Sequence, residues 1–249
     1  MRVLVLSDIH GNLQALDAVL AAAGKVDALW NLGDVVGYGA SPNEVVDCVR
    51  ALAQVNVRGN HDRVCCGLTT SEGFNPVAAA AAQWTMRTLT PKNLEWLRDM
   101  PQGPIAGNGR AMCVHGSPLH EDQYIVTMRD AWSPLQQMPT ELTFFGHTHV
   151  QGGFSQRDHE WHEDLPHFST ADQAESVELN VPVGTRHLVN PGSVGQPRDH
   201  DWRAAFAIYD SVADRVVFHR VPYDVAGAQA AIRAADLPER LATRLTEGR

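Results

Sequence analysis

The hydrophobic pattern of the first sixty residues alternates between strand-like runs and helix-like spacing. Apolar or alternating runs predict three strands, at residues 2–6, 28–32 and 55–58. Apolar residues recur at every third or fourth position over 13–23, which predicts a helix that stops at Gly24. Ser41, Pro42 and Glu44 form a capping-box pattern that opens a second helix. This order predicts parallel strands joined by right-handed crossovers.

The region after the third strand breaks this alternation. Asn75 before Pro76, and Thr90 before Pro91, are N-cap patterns that predict two further helices. We therefore expect a helical insertion at about 63–100. It would cover the sheet or shape a substrate cleft, and the sequence leaves both roles open.

The second half of the chain changes to shorter strand patterns. Further runs predict strands at 111–114, 142–145, 176–181, 186–190, 204–210 and 215–221. Turn residues separate the last four, so we expect antiparallel strands and a second sheet. Residues 156–174, His159 among them, predict an exposed loop, and 225–247 predict a helix. Without an internal repeat or a linker, we expect a single domain over 1–249.

Polar residues of a few chemical types follow five of these strands. They occur in the segments Asp8-Ile9-His10, Gly33-Asp34, Gly59-Asn60-His61-Asp62, Val114-His115-Gly116 and Gly146-His147-Thr148-His149. Open α/β sheets bind ligands at the carboxyl ends of their strands, where these segments lie. Carboxylate and amide oxygens with imidazole nitrogens are the ligands that a pair of dications requires. The five segments therefore predict a two-metal site.

The spacing of these residues suggests how two ions share them. Asp8 and His10 are alternate residues and project to one side, so one ion can be held by both. A carboxylate must bridge two ions about 3.5–4 Å apart, and Asp34 is the candidate bridge. We expect the remaining ligands to be Asn60, His115 and His147 on the second ion, with His149 able to turn back toward the first.

A two-ion site of this kind suits the hydrolysis of a phosphate ester. It neutralises phosphoryl oxygens and activates a water that bridges the two metals for in-line attack. His61 is left over when the ligands are counted, so we predict that it is the general acid that protonates the leaving group. Asp62 would orient His61 or its neighbourhood.

Composition and charge narrow the choice of partners. The chain has 249 residues, with 20 Lys plus Arg against 29 Asp plus Glu and a net charge of −9. No basic stripe offsets this charge, so nucleic acid is not expected as a stable partner. No apolar run has the length of a membrane helix, and we expect no membrane association. The four cysteines lack a secreted-protein spacing and there is no signal-peptide pattern, so we expect a cytoplasmic location.

Five further residues are candidate contacts for a small phosphate-ester substrate: Asn12, Arg63, Asn190, Ser193 and Arg198. Each has an ordinary structural alternative. Asn12 stands where a helix N-cap is expected, and Asn190 and Ser193 lie in a turn-like sequence. Arg63 and Arg198 could grip phosphate as forks or serve as surface ion-pair partners.

Taken together, the five segments resemble the calcineurin-like metallophosphoesterase superfamily, whose blocks are D-x-H, GD, GNH(D/E), H and GHxH. The resemblance covers residues 1 to about 199, and segments 33–39 and 190–195 are similar to small prokaryotic phosphodiesterases of this superfamily. It implies an α/β fold, a four-layer α-β-β-α sandwich of two mixed β-sheets flanked by helices. It also implies His61 as proton donor and two metal-ligand sets: Asp8, His10, Asp34 and His149 on one ion, and Asp34, Asn60, His115 and His147 on the other.

Departures from the family pattern bear on the substrate. Protein phosphatases and dinucleoside tetraphosphatases of this superfamily carry Asp-Arg-Gly after the GD block and Glu after GNH. This chain has Val36-Gly37-Tyr38 and Asp62 instead, so an arginine for a terminal phosphate is missing there. We therefore expect phosphodiesters as substrates, with phosphomonoesters or dinucleoside polyphosphates as the alternative.

The non-enzyme alternative is a protein-binding scaffold on the same fold. Such scaffolds tend to lose ligands or the spare histidine, and this chain retains all of them. Mixed nitrogen and oxygen ligands suit divalent transition metals; we expect Mn²⁺, with Fe, Co²⁺, Ni²⁺ or Zn²⁺ as alternatives.

Overall fold

The structure, a computed structural model, describes residues 1–157 and 160–249. Its strands are β1 (Arg2–Leu6), β2 (Ala28–Asn31), β3 (Val55–Asn56), β4 (Ile105–Ala106), β5 (Ala111–Cys113), β6 (Leu142–Phe144), β7 (Gly152–Arg157), β8 (Glu160–Glu163), β9 (Glu175–Asn180), β10 (Arg186–Asn190), β11 (Ala204–Asp210) and β12 (Arg215–Val221). Its helices are α1 (Leu13–Ala23), α2 (Pro42–Leu52), α3 (Asn60–Cys65), α4 (Pro76–Thr88), α5 (Pro91–Asp99), α6 (Met128–Gln137), α7 (Val225–Ala234) and α8 (Glu239–Thr243). A 3₁₀ turn over Arg244–Thr246 follows α8.

Two mixed sheets of six strands each form the centre of the fold. Their strand orders are β3-β2-β1-β11-β12-β9 and β4-β5-β6-β10-β7-β8. Each sheet contains a parallel block, β1 to β3 in the first and β5, β6 and β10 in the second, and antiparallel strands complete it. The predicted α/β class, with two mixed sheets flanked by helices, is confirmed.

Alternate residues of β1 divide the hydrophobic core into layers. Val3 and Val5 pack with Phe144 of the other sheet, whereas Leu4 and Leu6 belong to a second core that also takes residues from the flanking helices. Successive strand residues point to opposite faces, which is why one strand contributes to both layers. A third cluster joins α6 to the second sheet. The layered core holds the strand ends, and so the loops that follow them, in register.

The late strands pair differently from the prediction. The four strands expected to form a sheet of their own are divided between the two sheets. β9, β11 and β12 extend the first sheet through antiparallel pairing of β11 with β1, and β10 inserts between β6 and β7 of the second. The apolar pattern identifies a strand, but the partner of a strand depends on packing between distant parts of the chain.

Two further predictions need correction. The loop expected over 156–174 contains β8, an edge strand that pairs with β7. Its sequence, Glu-Trp-His-Glu, lacks the apolar alternation that marks half-buried strands. His159 lies outside the described residues. The helix expected over 225–247 is interrupted between α7 and α8, where Asp236 has a φ of 54° and Pro238 stands before α8.

The predicted helix starts are mostly confirmed. The side chains of Asn75 and Thr90 accept hydrogen bonds from the backbone N–H groups of Ala78 and Asn93. Helix α2 begins at Pro42 as predicted, but the Ser41 side chain makes no capping hydrogen bond, so the predicted capping box is absent. Helices α3 to α5 form the expected helical region. Among residues 1–157 and 160–249, none of the helices has both the length and the apolarity to cross a membrane.

Candidate metal centre

The five polar segments meet where strands of both sheets end. Asp8 and His10 follow β1, Asp34 follows β2, and Asn60 begins α3 just after β3. The remaining candidate ligands come from the second sheet: His115 follows β5, and His147 and His149 follow β6. Because the parallel blocks of the facing sheets end on the same side, residues far apart in sequence share one small volume.

The candidate ligands form two groups that share one carboxylate. The ligand atoms of each group lie within 4.8 Å of one another, and the groups are Asp8, His10, Asp34 and His149, and Asp34, His115 and His147. All of these side chains are buried. The Asp34 Oδ2 atom lies 3.7 Å from His10 Nε2 and 3.5 Å from His115 Nε2, between the two groups. Asn60 joins the second group, with its Oδ1 atom 3.2 Å from His115 Nε2.

Backbone carbonyls hold three of the imidazole rings in one orientation. The Nδ1 atoms of His10, His115 and His149 lie 3.1, 2.9 and 2.6 Å from the carbonyl oxygens of Val36, Leu32 and Gln196, respectively. A proton on each Nδ1 completes these hydrogen bonds and leaves Nε2 as a lone pair directed into the centre. His147 is oriented differently, because its Nδ1 atom is the one that faces His115.

Acceptor atoms in this centre face each other. His10 Nε2 lies 3.2 Å from His149 Nε2, and His115 Nε2 lies 3.1 Å from His147 Nδ1. The Asp8 Oδ1 atom is buried and has no hydrogen-bond partner. Opposed lone pairs and an orphaned carboxylate oxygen are unfavourable unless a cation or a proton lies between them. The donor set therefore fits two divalent ions, with Asp34 common to both.

Burial and the close approach of charged groups also change the pKa values of the candidate ligands. Burial tends to raise the pKa of Asp34, but His115 and His61 outweigh it and hold that pKa well below its usual range. Burial tends to lower the pKa of His115, yet Asp34 raises it to about 10. Burial lowers the pKa of His147 to about 3.

The backbone at the centre is held in a conformation that side chains disfavour. Left-handed φ values between 52° and 66° occur at Asp8, His10, Asp34, His147 and His149. Each such residue costs on the order of 1–3 kcal/mol and persists only where the surroundings enforce it. Five of the seven candidate ligands adopt this conformation, as is typical of backbone strained to aim functional groups.

Two glycines of the motifs are required by close approach. A Cβ atom on Gly59 would overlap the Asp34 carboxylate, and one on Gly146 would overlap the Ser7 hydroxyl and lie 2.9 Å from Asp8 Oδ2. Any larger residue would therefore push a candidate ligand aside. This explains the glycine that precedes Asn60 and the one that precedes His147.

Asp62 supports the backbone around His61 and does not contact its ring. Its carboxylate accepts hydrogen bonds from the N–H groups of Asp34, Gly59 and Val36, at 2.8, 3.0 and 3.2 Å. The prediction that Asp62 orients His61 therefore holds only for the neighbourhood of the ring. Burial, with Asp34 close by, raises the pKa of Asp62 to about 7.

His61 stands beside the centre and takes no part in either ligand group. Its ring packs against those of His10, Tyr38 and Phe74, with centroid distances of 4.9, 4.4 and 4.5 Å. The Nδ1 atom is buried without a partner. Burial lowers the pKa of His61 to about 4, so the ring is neutral at pH 7 in the free protein.

A cleft of about 770 Å³ opens over the centre. Asn60, His61 and His147 lie at its base. Its walls include three aromatic and three basic side chains, namely Tyr38, Phe74, Tyr124, Arg63, Arg198 and Arg244. This volume suits a small organic phosphate.

Only two of the five predicted substrate contacts reach this cleft, Arg63 and Arg198. The Arg63 guanidinium is already paired with Glu121 and Asp122. Arg198 has no carboxylate partner within 4 Å in the part of the chain that the structure describes.

The other three predicted contacts are buried supports, and this corrects their assignment. Asn12 caps α1 by accepting from Ala15 N–H, and its amide donates to the Gly195 carbonyl. The Asn190 amide donates to the Gly146 carbonyl and to the Thr148 hydroxyl, both at 2.9 Å.

Ser193 holds the first motif in the same manner. Its hydroxyl donates to the Asp8 carbonyl at 2.7 Å and accepts from Gln196 N–H at 2.8 Å. The segment 190–196 therefore supports the backbone of the loops that carry the candidate ligands. Its polar atoms are already hydrogen-bonded inside the protein.

Sequence reasoning missed several residues of the cleft. Phe74 and Tyr124 lie in loops without a motif, and Arg244 belongs to the helical C-terminal region. Tyr38 belongs to the segment where an arginine is expected, and the sequence indicates no role for Tyr38 itself. No local pattern marks these positions, because they reach the cleft through the tertiary fold.

Comparisons with known proteins agree with this geometry. A family model described as the calcineurin-like phosphoesterase superfamily domain matches residues 1–214. The uncharacterized protein MJ0912 of Methanocaldococcus jannaschii is 33% identical over 98% of this chain and 97% of its own.

Two solved structures match over nearly their whole lengths. A metallophosphoesterase from Sphaerobacter thermophilus is 44% identical, with a TM-score of 0.84, over 100% of this chain and 99% of its own. The hypothetical protein PH1004 from Pyrococcus horikoshii OT3 is 22% identical, with a TM-score of 0.78, over 100% and 98%, and this likeness concerns the fold alone.

Proposed function

We propose that this chain, which belongs to the calcineurin-like phosphoesterase superfamily, hydrolyses phosphodiester bonds with the help of two divalent metal ions. Membership of the family makes it a hydrolase of phosphate esters, and the choice of diesters is our proposal. The observation that carries the proposal is the pair of buried ligand groups that share Asp34. Two adjacent ions joined by a carboxylate are the arrangement that phosphoester hydrolysis uses.

Two features support diesters over monoesters. No arginine follows Asp34, and Tyr38 stands in that segment. A monoester dianion would gain most from such an arginine, because its terminal phosphate carries the greater charge. The cleft, at about 770 Å³, also has the volume for a phosphate that carries two organic groups.

We propose Mn²⁺ as the resident metal. The ligand set of imidazoles, carboxylates and one amide is intermediate in hardness and contains no thiolate. Fe, Co²⁺, Ni²⁺ and Zn²⁺ are accommodated by the same atoms, so supply in the cell would contribute to the choice.

The protein side chains would divide the remaining work. Bound ions would neutralise the phosphoryl oxygens and supply an activated water for in-line attack. Asp8, His10, Asp34 and His149 would hold one ion, and Asp34, Asn60, His115 and His147 the other. Asp62 keeps the turns that carry Asp34 and Asn60 in place.

His61 would donate the proton that the leaving group requires. Its position at the base of the cleft, outside both ligand groups, supports this role. The ring is neutral in the free protein, so the negative charge of the bound ester must raise its pKa before it can donate as an acid. Proton donation of this kind is worth roughly 10²–10⁴ in rate.

We also propose a cytoplasmic protein that acts on small phosphate esters. All four cysteines are free thiols, which suits a reducing compartment. The net charge of −9 disfavours nucleic acid and anionic membrane surfaces as stable partners.

A substrate screen with defined metal content tests the proposal. The protein is first stripped of metal with a chelator and reconstituted with Mn²⁺, and its metal content is measured. It is then assayed on bis-aryl diesters, cyclic nucleotides, dinucleoside polyphosphates and monoesters. We expect two ions per chain and the highest kcat/KM on diesters. A higher kcat/KM on monoesters would contradict the diester assignment, and two bound ions without turnover of any ester would contradict an enzymatic role.

A further inference from the structure

We propose that Arg198 and Arg244 form a subsite for a second phosphate, so that the preferred substrate is a phosphodiester with a phosphate group on one of its arms. This inference rests on the proposed function, because it specifies the substrate class of the same cleft. Neither arginine belongs to the metal centre. Arg198 comes from the loop after β10 and Arg244 from the end of α8.

Both guanidinium groups line the cleft and lie near the ring of Tyr38. Their central carbons are 6.0 Å and 5.8 Å from the centroid of the Tyr38 ring, for Arg198 and Arg244 respectively. That ring lies 4.6 Å from the His10 ring and 4.4 Å from the His61 ring. A single aromatic side chain therefore separates the pair of cations from the candidate metal ligands.

Neither guanidinium is neutralised by a carboxylate side chain. Arg198 donates to the Tyr38 hydroxyl at 3.4 Å and to the Gln196 side-chain oxygen at 3.3 Å, and its Nε atom is buried without a partner. Arg244 donates through Nε to the backbone oxygen of Arg249. Within 1–157 and 160–249, no Asp or Glu oxygen lies within 4 Å of either group.

Arg63, the third arginine of the cleft, provides the contrast. It is held by Glu121 and Asp122, as expected for an arginine whose charge is balanced inside an acidic protein. Burial, and then the charge of Arg198, lower the pKa of Arg244 to about 10. Two guanidinium groups that lie near the same ring, neither with an Asp or Glu partner within 4 Å among the described residues, gain from an anion that both can reach.

The chemistry of the pair selects phosphate over other anions. Guanidinium forks present paired N–H donors that match phosphate oxygens, and two of them can balance a dianion. The pair also supplies positive charge beside Tyr38. This residue belongs to the segment after Asp34 in which the expected arginine is missing. One phosphate would then lie at the metal centre and the other against Arg198 and Arg244.

Calorimetric binding of stable phosphonates tests the subsite without relying on turnover. The probes are propylphosphonate, propane-1,3-bisphosphonate and 3-phosphonopropionate, each titrated into Mn²⁺-loaded protein. We expect the bisphosphonate to bind about 10- to 100-fold more tightly than propylphosphonate, the range for added charge-assisted hydrogen bonds. In the double variant Arg198→Gln with Arg244→Gln this advantage should shrink to less than about threefold.

Arg240→Gln is the matched control, because it removes the same charge from an exposed position one helical turn before Arg244. It should keep the full bisphosphonate advantage. Metal content and the urea midpoint of each variant verify folding, and the two single variants, each with a partial loss, replace the double variant if it unfolds.

Two outcomes would overturn the subsite. An undiminished bisphosphonate advantage in the double variant would mean that the metals hold both phosphonates. An equal gain from the carboxylate arm of 3-phosphonopropionate would contradict a phosphate subsite. Failure of the proposed function is distinguishable, because it is measured by the hydrolysis of diesters by the metal-loaded wild-type protein, whereas the subsite is measured by the binding of phosphonates.

Discussion

Two buried polar clusters contact the same loop and differ in how their polar atoms are satisfied. The first is the metal centre, the seven candidate ligands described above. The second is an arginine cluster, which we define as Gln151, Asp199, Asp201, Arg203 and Arg220. The Gln196 carbonyl of the loop faces His149 Nδ1 in the metal centre, and the Asp199 carboxylate accepts from Arg220 in the arginine cluster.

The arginine cluster is nearly complete in itself. Arg203 donates to both carboxylate oxygens of Asp201, and Arg220 donates to Asp199 and to the Gln151 side-chain oxygen. The Gln151 amide in turn donates to three backbone carbonyls. Asp199 Oδ1 is the one side-chain atom of this cluster found buried without a partner.

The metal centre has the opposite character, because its acceptors face other acceptors. The Nε2 atoms of His10 and His149 are 3.2 Å apart, and Asp8 Oδ1 has no partner. Buried polar groups that satisfy one another make a polar network favourable, whereas several opposed acceptors in one place are unfavourable without a cation or a proton between them. Burial and charge alone do not distinguish the arginine cluster from the metal centre. The pairing of donors with acceptors does distinguish them.

The sharpest test of this difference is the shared carboxylate. Asp34→Asn removes the only charged group common to both ligand sets, and we expect fewer than one ion per chain and hydrolysis at the protein-free rate. Metal analysis and steady-state kinetics measure both quantities in one preparation. Full activity with a single ion would show that Asp34 does not bridge.

The next largest effect should come from His61, which adjoins the centre without belonging to a ligand group. His61→Ala should keep two ions per chain and lose roughly 10²–10⁴ in kcat on diesters with an alkyl leaving group. On 4-nitrophenyl esters the loss should be much smaller, because that leaving group requires no proton. An equal loss on both esters would assign His61 to binding, and a loss of metal would assign it to structure.

In the arginine cluster the corresponding change should affect stability and leave the metal unchanged. Asp201→Asn leaves the Arg203 guanidinium, which is 1% exposed, without its main counter-ion. Breaking a buried pair in this way costs about 3 kcal/mol of unfolding free energy. Urea denaturation measures the loss, and ion content should stay at two. Loss of ions from a folded variant would contradict the separation of the two clusters.

A smaller effect is expected from a buried histidine outside both clusters. Burial lowers the pKa of His187 to about 4, and among residues 1–157 and 160–249 its ring is hydrogen-bonded to the Thr185 hydroxyl alone. Because its folded pKa lies below the unfolded value of about 6.5, the unfolded chain takes up the proton first. Stability is therefore complete above about pH 6.5 and falls as the pH decreases toward 4.

The variant His187→Gln removes this titration and keeps a polar side chain near Thr185. We expect the stability lost between pH 6.5 and pH 4 to shrink by about 2 kcal/mol relative to wild type. Urea denaturation at both pH values, on metal-free protein, measures the change. An unchanged pH dependence would mean that His187 titrates normally in the folded protein.

Much of the site could be predicted because its signals are local. Asp8, Asp34 and His115 each stand within two residues of the end of an apolar run, and a strand end is visible in the sequence as the point where that run stops. The N-caps at Asn75 and Thr90 are equally local, since a cap bonds a residue three positions away. Prediction was harder where the outcome depends on distant partners, as for Asn190, whose amide donates to Gly146 and Thr148 more than forty residues away.

The sequence by itself determined which residues are candidate metal ligands, their position at strand ends and the surplus of His61. Only the tertiary structure decided that β9, β11 and β12 join the first sheet while β10 joins the second, and that Asp34 lies between the two ligand groups. It alone brought Arg198 and Arg244 to the same Tyr38 ring and placed Asp62 against backbone N–H groups. The physical reason is that the spacing of hydrophobic residues and the capping of helices depend on residues a few positions apart. Strand pairing and charge pairing depend on the packing of segments that are up to about two hundred residues apart.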